Sequence, residues 1–278
     1  MPDSSSYDTS ASIEKITKRA EIWSLKNLGA IIEFEWQAFL YLRNIILGQL
    51  FVEPIVYITL LAAGLQGMNN TIEYKGILIS YMTYAFPGIL AIQTIRTLSR
   101  VLVRASVDRR WGILSLKLLY GTGPLAYILG MSLIPLIAFL LQALISLPLV
   151  WLLGAKFTLP AVVFTLFAGV VATGFWCSIG LIAATALRNE NQRDLVLSVA
   201  LLPLMFAAPT FISLDTAPLY LKVIAAINPL SYQVTAMRDP LVGNYFSLAL
   251  LVSIFLTVIA IFTAAWIVKR MKLVVSQS

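Results

Sequence analysis

Six long apolar stretches, separated by short polar or basic segments, dominate the chain. They cover 45–65, 77–95, 125–147, 159–187, 195–214 and 246–268. Each is close to the roughly 20 residues that a helix needs to cross about 30 Å of hydrocarbon, so the pattern predicts six membrane-spanning helices. Ahead of them, 13–44 reads as an amphipathic segment. Ile31, Phe34, Ala38 and Tyr41 fall at helical spacing, Glu33 and Gln37 take another face, and Trp23 and Trp36 suit the membrane interface. Such a helix lies along the inner membrane surface. Within the connection 96–124, residues 114–120 predict a short helix with Leu114, Leu118 and Leu119 grouped and Lys117 outward, closed by glycines. Residues 215–244 read as two half-helices broken at Asn228 and Pro229, a re-entrant or interfacial hairpin. The fold class is therefore an all-α membrane protein. Its predicted parts are a disordered tail over 1–12, an interface region over 13–44, a six-span domain over 45–268 and a tail over 269–278. The first residues lack a basic run followed by an apolar core, so no cleaved signal peptide is expected.

Composition agrees with a bilayer as solvent. The 278 residues are 59% hydrophobic and 12% charged, against about 45–50% and about 25% in soluble domains, and mean hydropathy is +0.87. Twenty basic and 13 acidic residues give a net charge of +7. The bases divide unevenly between the two sides that six spans define. One side collects Lys15, Lys18, Arg19, Lys26, Arg43, Arg96, Arg100, Arg104, Arg109, Arg110, Lys117, Arg188, Arg193, Lys269, Arg270 and Lys272; the other holds Lys75, Lys156, Lys222 and Arg238. That bias places both termini in the cytoplasm. It reports topology, and no nucleic-acid partner is expected.

The chain contains no histidine and one cysteine, Cys177. Histidine-based acid–base catalysis, Ser-His-Asp and Cys-His arrangements and ordinary zinc sites are thereby excluded. No G-x-x-x-x-G-K-[ST] phosphate loop is present, so any energy for transport comes from another subunit. Glu53 is the one formal charge deep inside a predicted span, and Pro54 after it predicts a kink. Glu53 reads either as a polar group in a transport path or as a structural carboxylate bonded to a neighbouring span. Tyr81 and Tyr84 read either as interfacial belt residues or as the lining of a portal. The basic loop after the second span is a docking surface for a cytoplasmic protein, or a topology signal.

Three motifs occur in order along the spans: Gly48-Gln-Leu-Phe-Val-Glu-Pro-Ile-Val-Tyr57 with Gly64, Tyr81-Met-Thr-Tyr-Ala-Phe-Pro-Gly88, and Asn228-Pro-Leu-Ser-Tyr232 followed by Met237-Arg-Asp-Pro-Leu-Val-Gly243. With them the chain, from about Leu25 to its end, resembles the membrane subunits (permeases) of type-2 ABC exporters. The likeness is to the branch of nodulation-factor, daunorubicin-resistance and polysaccharide exporters. It implies a plasma (inner) membrane exporter of a drug, glycolipid or lipid-linked polysaccharide. Two such permeases, expected to be identical, would work with two copies of an ABC ATP-binding subunit that holds ATP and Mg; this chain would hold no cofactor or metal. By the same resemblance, residues 25–41 and 104–117 face the ATP-binding subunits, with Arg104, Asp108, Arg109, Arg110, Trp111 and Lys117 as docking residues. Glu53 and Tyr84 would lie near a path walled by spans one, two and five. The hairpin over 219–239, with Asn228, Pro229, Tyr232 and Arg238, would shape the exit. Short outer connections over 66–76 and 148–158 argue against a relative with a large outer domain.

Two other classes compete with an exporter subunit. An intramembrane lipid enzyme needs histidines or a metal site that the chain lacks. A membrane scaffold that recruits a cytoplasmic protein through its basic loop shares the docking surface but has no ATP-hydrolysing partner.

Overall fold

A computed structural model describes residues 24–62, 64, 67, 70–187, 189–211 and 217–271. The expected tail over 1–12, residues 13–23 of the amphipathic segment with Trp23, and 272–278 of the C-terminal tail lie outside the described residues, as do Arg188 and Asp215. The elements are α1 (Leu28–Val56, continued by a π-helix over Tyr57–Ala62), β1 (Thr71–Tyr74), β2 (Ile77–Ser80), α2 (Tyr81–Arg110), α3 (Ile113–Leu119), α4 (Pro124–Leu152), α5 (Leu159–Ala186), α6 (Glu190–Ala207), α7 (Leu219–Ile227), α8 (Pro229–Arg238, followed by a 3-10 turn over Asp239–Val242) and α9 (Leu248–Arg270).

Among the described residues, α4, α5 and α9 are long and apolar enough to cross a bilayer. The other three apolar stretches fall mainly on α1, α2 and α6, which carry Glu53, Arg96 and Arg193 in or beside their apolar runs. At the centre, α2 packs most extensively against α5, with α4 and α9 beside them; α1 lies on α4, and α8 wedges against α2, α5 and α9. From Tyr81 to Ile95, α2 is buried on every side. Close packing with α5 depends on Gly180, where a Cβ would stand 2.7 Å from the carbonyl oxygen of Leu98. Small residues at such crossings let backbones approach where lipid offers no hydrophobic drive between helices.

Four expectations change. The chain is not purely helical, because β1 and β2 pair antiparallel with Tyr74 opposite Ile77. Lys75 (φ 52°) and Gly76 (φ 79°) form the two-residue turn, whose two positive φ angles match the twist of a tight hairpin. Residues 77–80 therefore belong to a strand, and the second long helix starts at Tyr81, where the Ser80 hydroxyl accepts from the Thr83 N–H.

That helix also runs on to Arg110, so 96–110 is helix rather than loop. Nothing in 96–110 breaks it, and the stop comes at Gly112 (φ 70°). Third, no boundary separates the amphipathic segment from the first span, since α1 continues through 44 and 45. The irregularity comes instead after Pro54. Its missing N–H and ring clash disturb the preceding turn, and the helix widens to a π-helix directly after it. Fourth, α6 ends at Ala207, with Pro209 beyond it rather than within a span. Ala208 takes the extended conformation (ψ 149°) that a residue before proline prefers.

Candidate functional site

Four charged side chains meet where α1, α2, α3 and α4 converge. Asp108 on α2 is fully buried. It accepts from Lys117 Nζ of α3 at 2.8 Å and from the Tyr127 hydroxyl of α4 at 3.2 Å. Lys117 also donates to Glu35 of α1 at 3.3 Å, and Arg104 Nε lies 3.5 Å from Glu35 and 3.9 Å from Asp108. The Phe34 ring sits beneath both cations, 4.4 Å from Lys117 and 5.4 Å from Arg104. Two acids and two bases thus tie α1, α2 and α3 together, and the Tyr127 hydroxyl adds α4. Asn27 of the α1 start adds a bond to the Tyr120 carbonyl at 2.8 Å.

Beside this knot lies a cleft of about 610 Å³ between the ends of α2 and α5 and the start of α6. Arg109 forms one wall by donating from Nη1 to the carbonyls of Ala184, Thr185 and Leu187 at 3.1, 2.6 and 3.3 Å. These belong to the carbonyls that the end of α5 leaves without intrahelical partners, and a cation there also complements the helix dipole. Arg110, Trp111 and Arg193 complete a basic, aromatic rim, and Trp111 is 72% exposed. Of the six expected docking residues, Arg110 and Trp111 are on the surface, Arg104 and Arg109 are half-buried, Lys117 is nearly covered, and Asp108 is inside.

A second knot surrounds Glu53. Its carboxylate meets Arg96 at 2.9 Å and Arg100 at 3.5 Å, with the Gln142 amide of α4 at 3.4 Å. Arg96 also donates to the Tyr57 hydroxyl on the π-helix. The neighbouring helix α2 thus meets Glu53 through two arginines. Tyr84 stands twelve residues before Arg96 on α2, about 18 Å along the axis. The two residues expected near a path are therefore far apart, and Tyr84 is buried within this chain.

Tyr84 belongs to a third group at the opposite end of the bundle. Among the described residues, Arg238 is the largest fully buried side chain. Its guanidinium lies 3.6 Å from the centroid of the Tyr84 ring and donates to the carbonyls of Tyr84, Pro209 and Thr210 at 3.1, 2.8 and 3.1 Å. The next residue, Asp239, is also fully buried, accepts from the Tyr74 hydroxyl at 2.8 Å and pairs with Lys75 at the hairpin turn. Burial raises the Tyr74 phenol well above its ordinary value, the Asp239 carboxylate adds to the rise, and the Arg238 charge opposes it. Asn228 Oδ1 caps α8 by accepting from the Leu230 N–H at 3.0 Å, while its amide donates to the Leu204 carbonyl at 2.7 Å. Pro229 occupies the first turn of α8, and the Tyr232 hydroxyl donates to the Ala226 carbonyl at 2.8 Å. The expected hairpin residues thus fasten α7 and α8 to each other and to the body.

Sequence reasoning did not single out Glu35, Arg96, Arg100, Lys75, Tyr74 or Asp239. A signal existed for two of them. Arg96, Arg100, Arg104 and Asp108 recur every four residues, one face of a continuing helix, and reading 96–124 as loop hid that face. Among the described residues, no group of three or more metal-ligating side chains comes together.

A family model described as ABC-2 type transporter matches residues 27–242, from the start of α1 to the end of the turn after α8. No curated protein matches the chain.

Proposed function

The chain belongs to the ABC-2 type transporter family, whose members are the permease subunits of ABC transporters, and from that premise we propose that it works as an exporter. Two copies, energised by two ATP-binding subunits on the cytoplasmic side of a plasma membrane, would carry an amphipathic drug, glycolipid or lipid-linked polysaccharide outward. Six spans with cytoplasmic termini, and the exporter branch named above, are part of this proposal. The observation that carries it is the basic cleft with Arg110 and Trp111 on its rim, beside the charge knot joining α1, α2 and α3. Arg110 and Trp111 touch the partner, whereas Asp108, Lys117, Arg104 and Arg109 hold the surface in shape.

The second permease would cover the apolar faces left open on α1, at Phe51, Val52, Ile55 and Val56, and on α6, at Leu195, Val199, Leu202 and Phe206. The path lies between the copies. Closure of the ATP-bound partners pushes on α3, and Lys117 transmits the push to α1 and α2 together. The α1 irregularity after Pro54, together with Pro203 and the bend at Pro209, gives places where the spans can re-angle. ATP shifts the two-state equilibrium only as far as it favours one state over the other.

Purification of the tagged chain from its host tests the assembly. The expected outcome is an ATP-binding subunit at one-to-one stoichiometry, lost when Arg110→Glu and Trp111→Ala are combined. Recovery with a protein that does not hydrolyse ATP would favour a scaffold instead. Undiminished partner binding by the double variant would remove the docking assignment.

A further inference from the structure

None of the roles above uses an open-sided cavity of about 490 Å³ between α1, α2 and α4. Its volume falls within the roughly 300–1,000 Å³ of small-molecule sites. Phe39, Val101, Met131, Ile134 and Pro135 give it apolar walls, and Glu35, Arg100 and Arg104 a charged side. The wall on α4 runs from Met131 to Ala138, seven residues or about 10 Å along the axis. Arg104 and Glu35 stand toward the end that carries Lys117. The cavity is therefore elongated, with Arg104 and Glu35 at its basic end, Arg100 and Gln49 further in, and apolar side chains along its α4 wall.

Charge is not balanced around it. Arg96, Arg100, Arg104 and Lys117 share three carboxylates, those of Glu35, Glu53 and Asp108, which leaves one positive charge over. Arg104 Nη2 is buried with no hydrogen-bond partner among the described residues. The carboxylates nearest its Nε lie beyond the usual 2.7–3.2 Å of an N–H···O bond. A buried donor without an acceptor costs about 1–3 kcal/mol unless something supplies one.

We propose that this cavity binds one anionic phospholipid from the leaflet on the basic side. One of its two acyl chains lies along α4 from Met131 to Ala138, the other stays in the bilayer, and its phosphate accepts from Arg104. Phosphate oxygens match the fork of a guanidinium, and basic pockets between spans on the cytoplasmic side suit anionic headgroups. A single negative headgroup cancels the surplus charge, whereas the ammonium of a zwitterionic lipid would face two arginines. The lipid is a resident of one chain, so the inference does not rest on the transport reading.

Native mass spectrometry of the full chain in detergent, with phosphatidylglycerol, phosphatidylethanolamine or inorganic phosphate added, tests the site. One phosphatidylglycerol per chain is expected to be retained, about tenfold over phosphatidylethanolamine, and inorganic phosphate is expected not to displace it. Arg104→Gln should erase the preference between the lipids. Ala138→Phe, which fills the apolar part, should lower retention of both. Leu144→Phe, on an exposed face of α4, should behave like the parent chain. Equal retention of the two lipids by the parent overturns the proposal. Displacement by inorganic phosphate, or equal losses in Leu144→Phe and Ala138→Phe, does the same. If Ala138→Phe fails to fold, Arg104→Gln and the phosphate competition still decide.

Discussion

At Arg238 a permanent charge is taken almost wholly out of water, at 1% exposure. Such a charge survives in a fold only when its donors and its field are both answered. Three carbonyls and the face of Tyr84 answer this one, and they come from α2 and from the segment after α6. The planar fork of arginine spans these acceptors; the single ammonium of lysine cannot. Arg238→Ala should therefore lower stability by roughly 3–5 kcal/mol, the usual cost of dismantling a buried charged cluster. Arg238→Lys should fall between that variant and the parent. Reversible unfolding in detergent by titration with sodium dodecyl sulfate measures both. Indistinguishable midpoints for parent and Arg238→Ala would mean that the cluster holds nothing together. Lys75 is half exposed where it meets Asp239, so Lys75→Ala should shift the midpoint far less, since water screens such a pair.

For whole elements, the decisive contacts are between backbones. Gly180 lets α5 settle against the Leu98 carbonyl of α2, and a side chain there meets backbone that cannot swing aside. Gly180→Val should destabilise by about 1–3 kcal/mol, the range for forcing volume into a packed site. Gly174→Ala, whose Cβ would meet the Thr257 methyl group at an ordinary 3.5 Å, should stay within about 0.5 kcal/mol of the parent. Equal effects at the two positions, in the same unfolding titration, would remove the close crossing. The elements themselves were legible to different degrees. Apolar length located α4, α5 and α9, and the Asn228–Pro229 break located α7 and α8, because these signals are local. The hairpin was missed because Thr71–Tyr74 and Ile77–Ser80 are short, and an apolar Ile77-Leu78-Ile79 run merges with the span behind it. Residues 96–110 carry five arginines, a pattern that by local signals alone looks like a loop. Glu53 and Glu35, distant in sequence, are what make those arginines tolerable there.

At the scale of the whole molecule, the proposed transport cycle requires a push on α3 to reach the other helices. Lys117 is the sole charged residue of α3, and it grips Asp108 of α2 and Glu35 of α1 at once. Any displacement of α3 must then move both helices, or break a largely buried ion pair. Lys117→Met keeps most of the side chain's volume and removes the grip. It also leaves Asp108 and Glu35 with Arg104 as their remaining ion-pair partner among the described residues. In the assembled complex this variant should still bind its ATP-binding subunit, because Arg110 and Trp111 are untouched. Its ATP hydrolysis should continue but lose stimulation by transported substrate, and transport should fall by about tenfold or more, the effect of about 1.4 kcal/mol of lost coupling. Vesicle transport and ATPase assays on the same preparation separate the possibilities. Loss of partner binding would make Lys117 part of the contact surface, whereas unchanged transport would mean that force enters the bundle elsewhere, through α1 directly. The second result would also weaken the case that the knot of Glu35, Arg104, Asp108 and Lys117 is a transmission, and leave it as a fastening between helices.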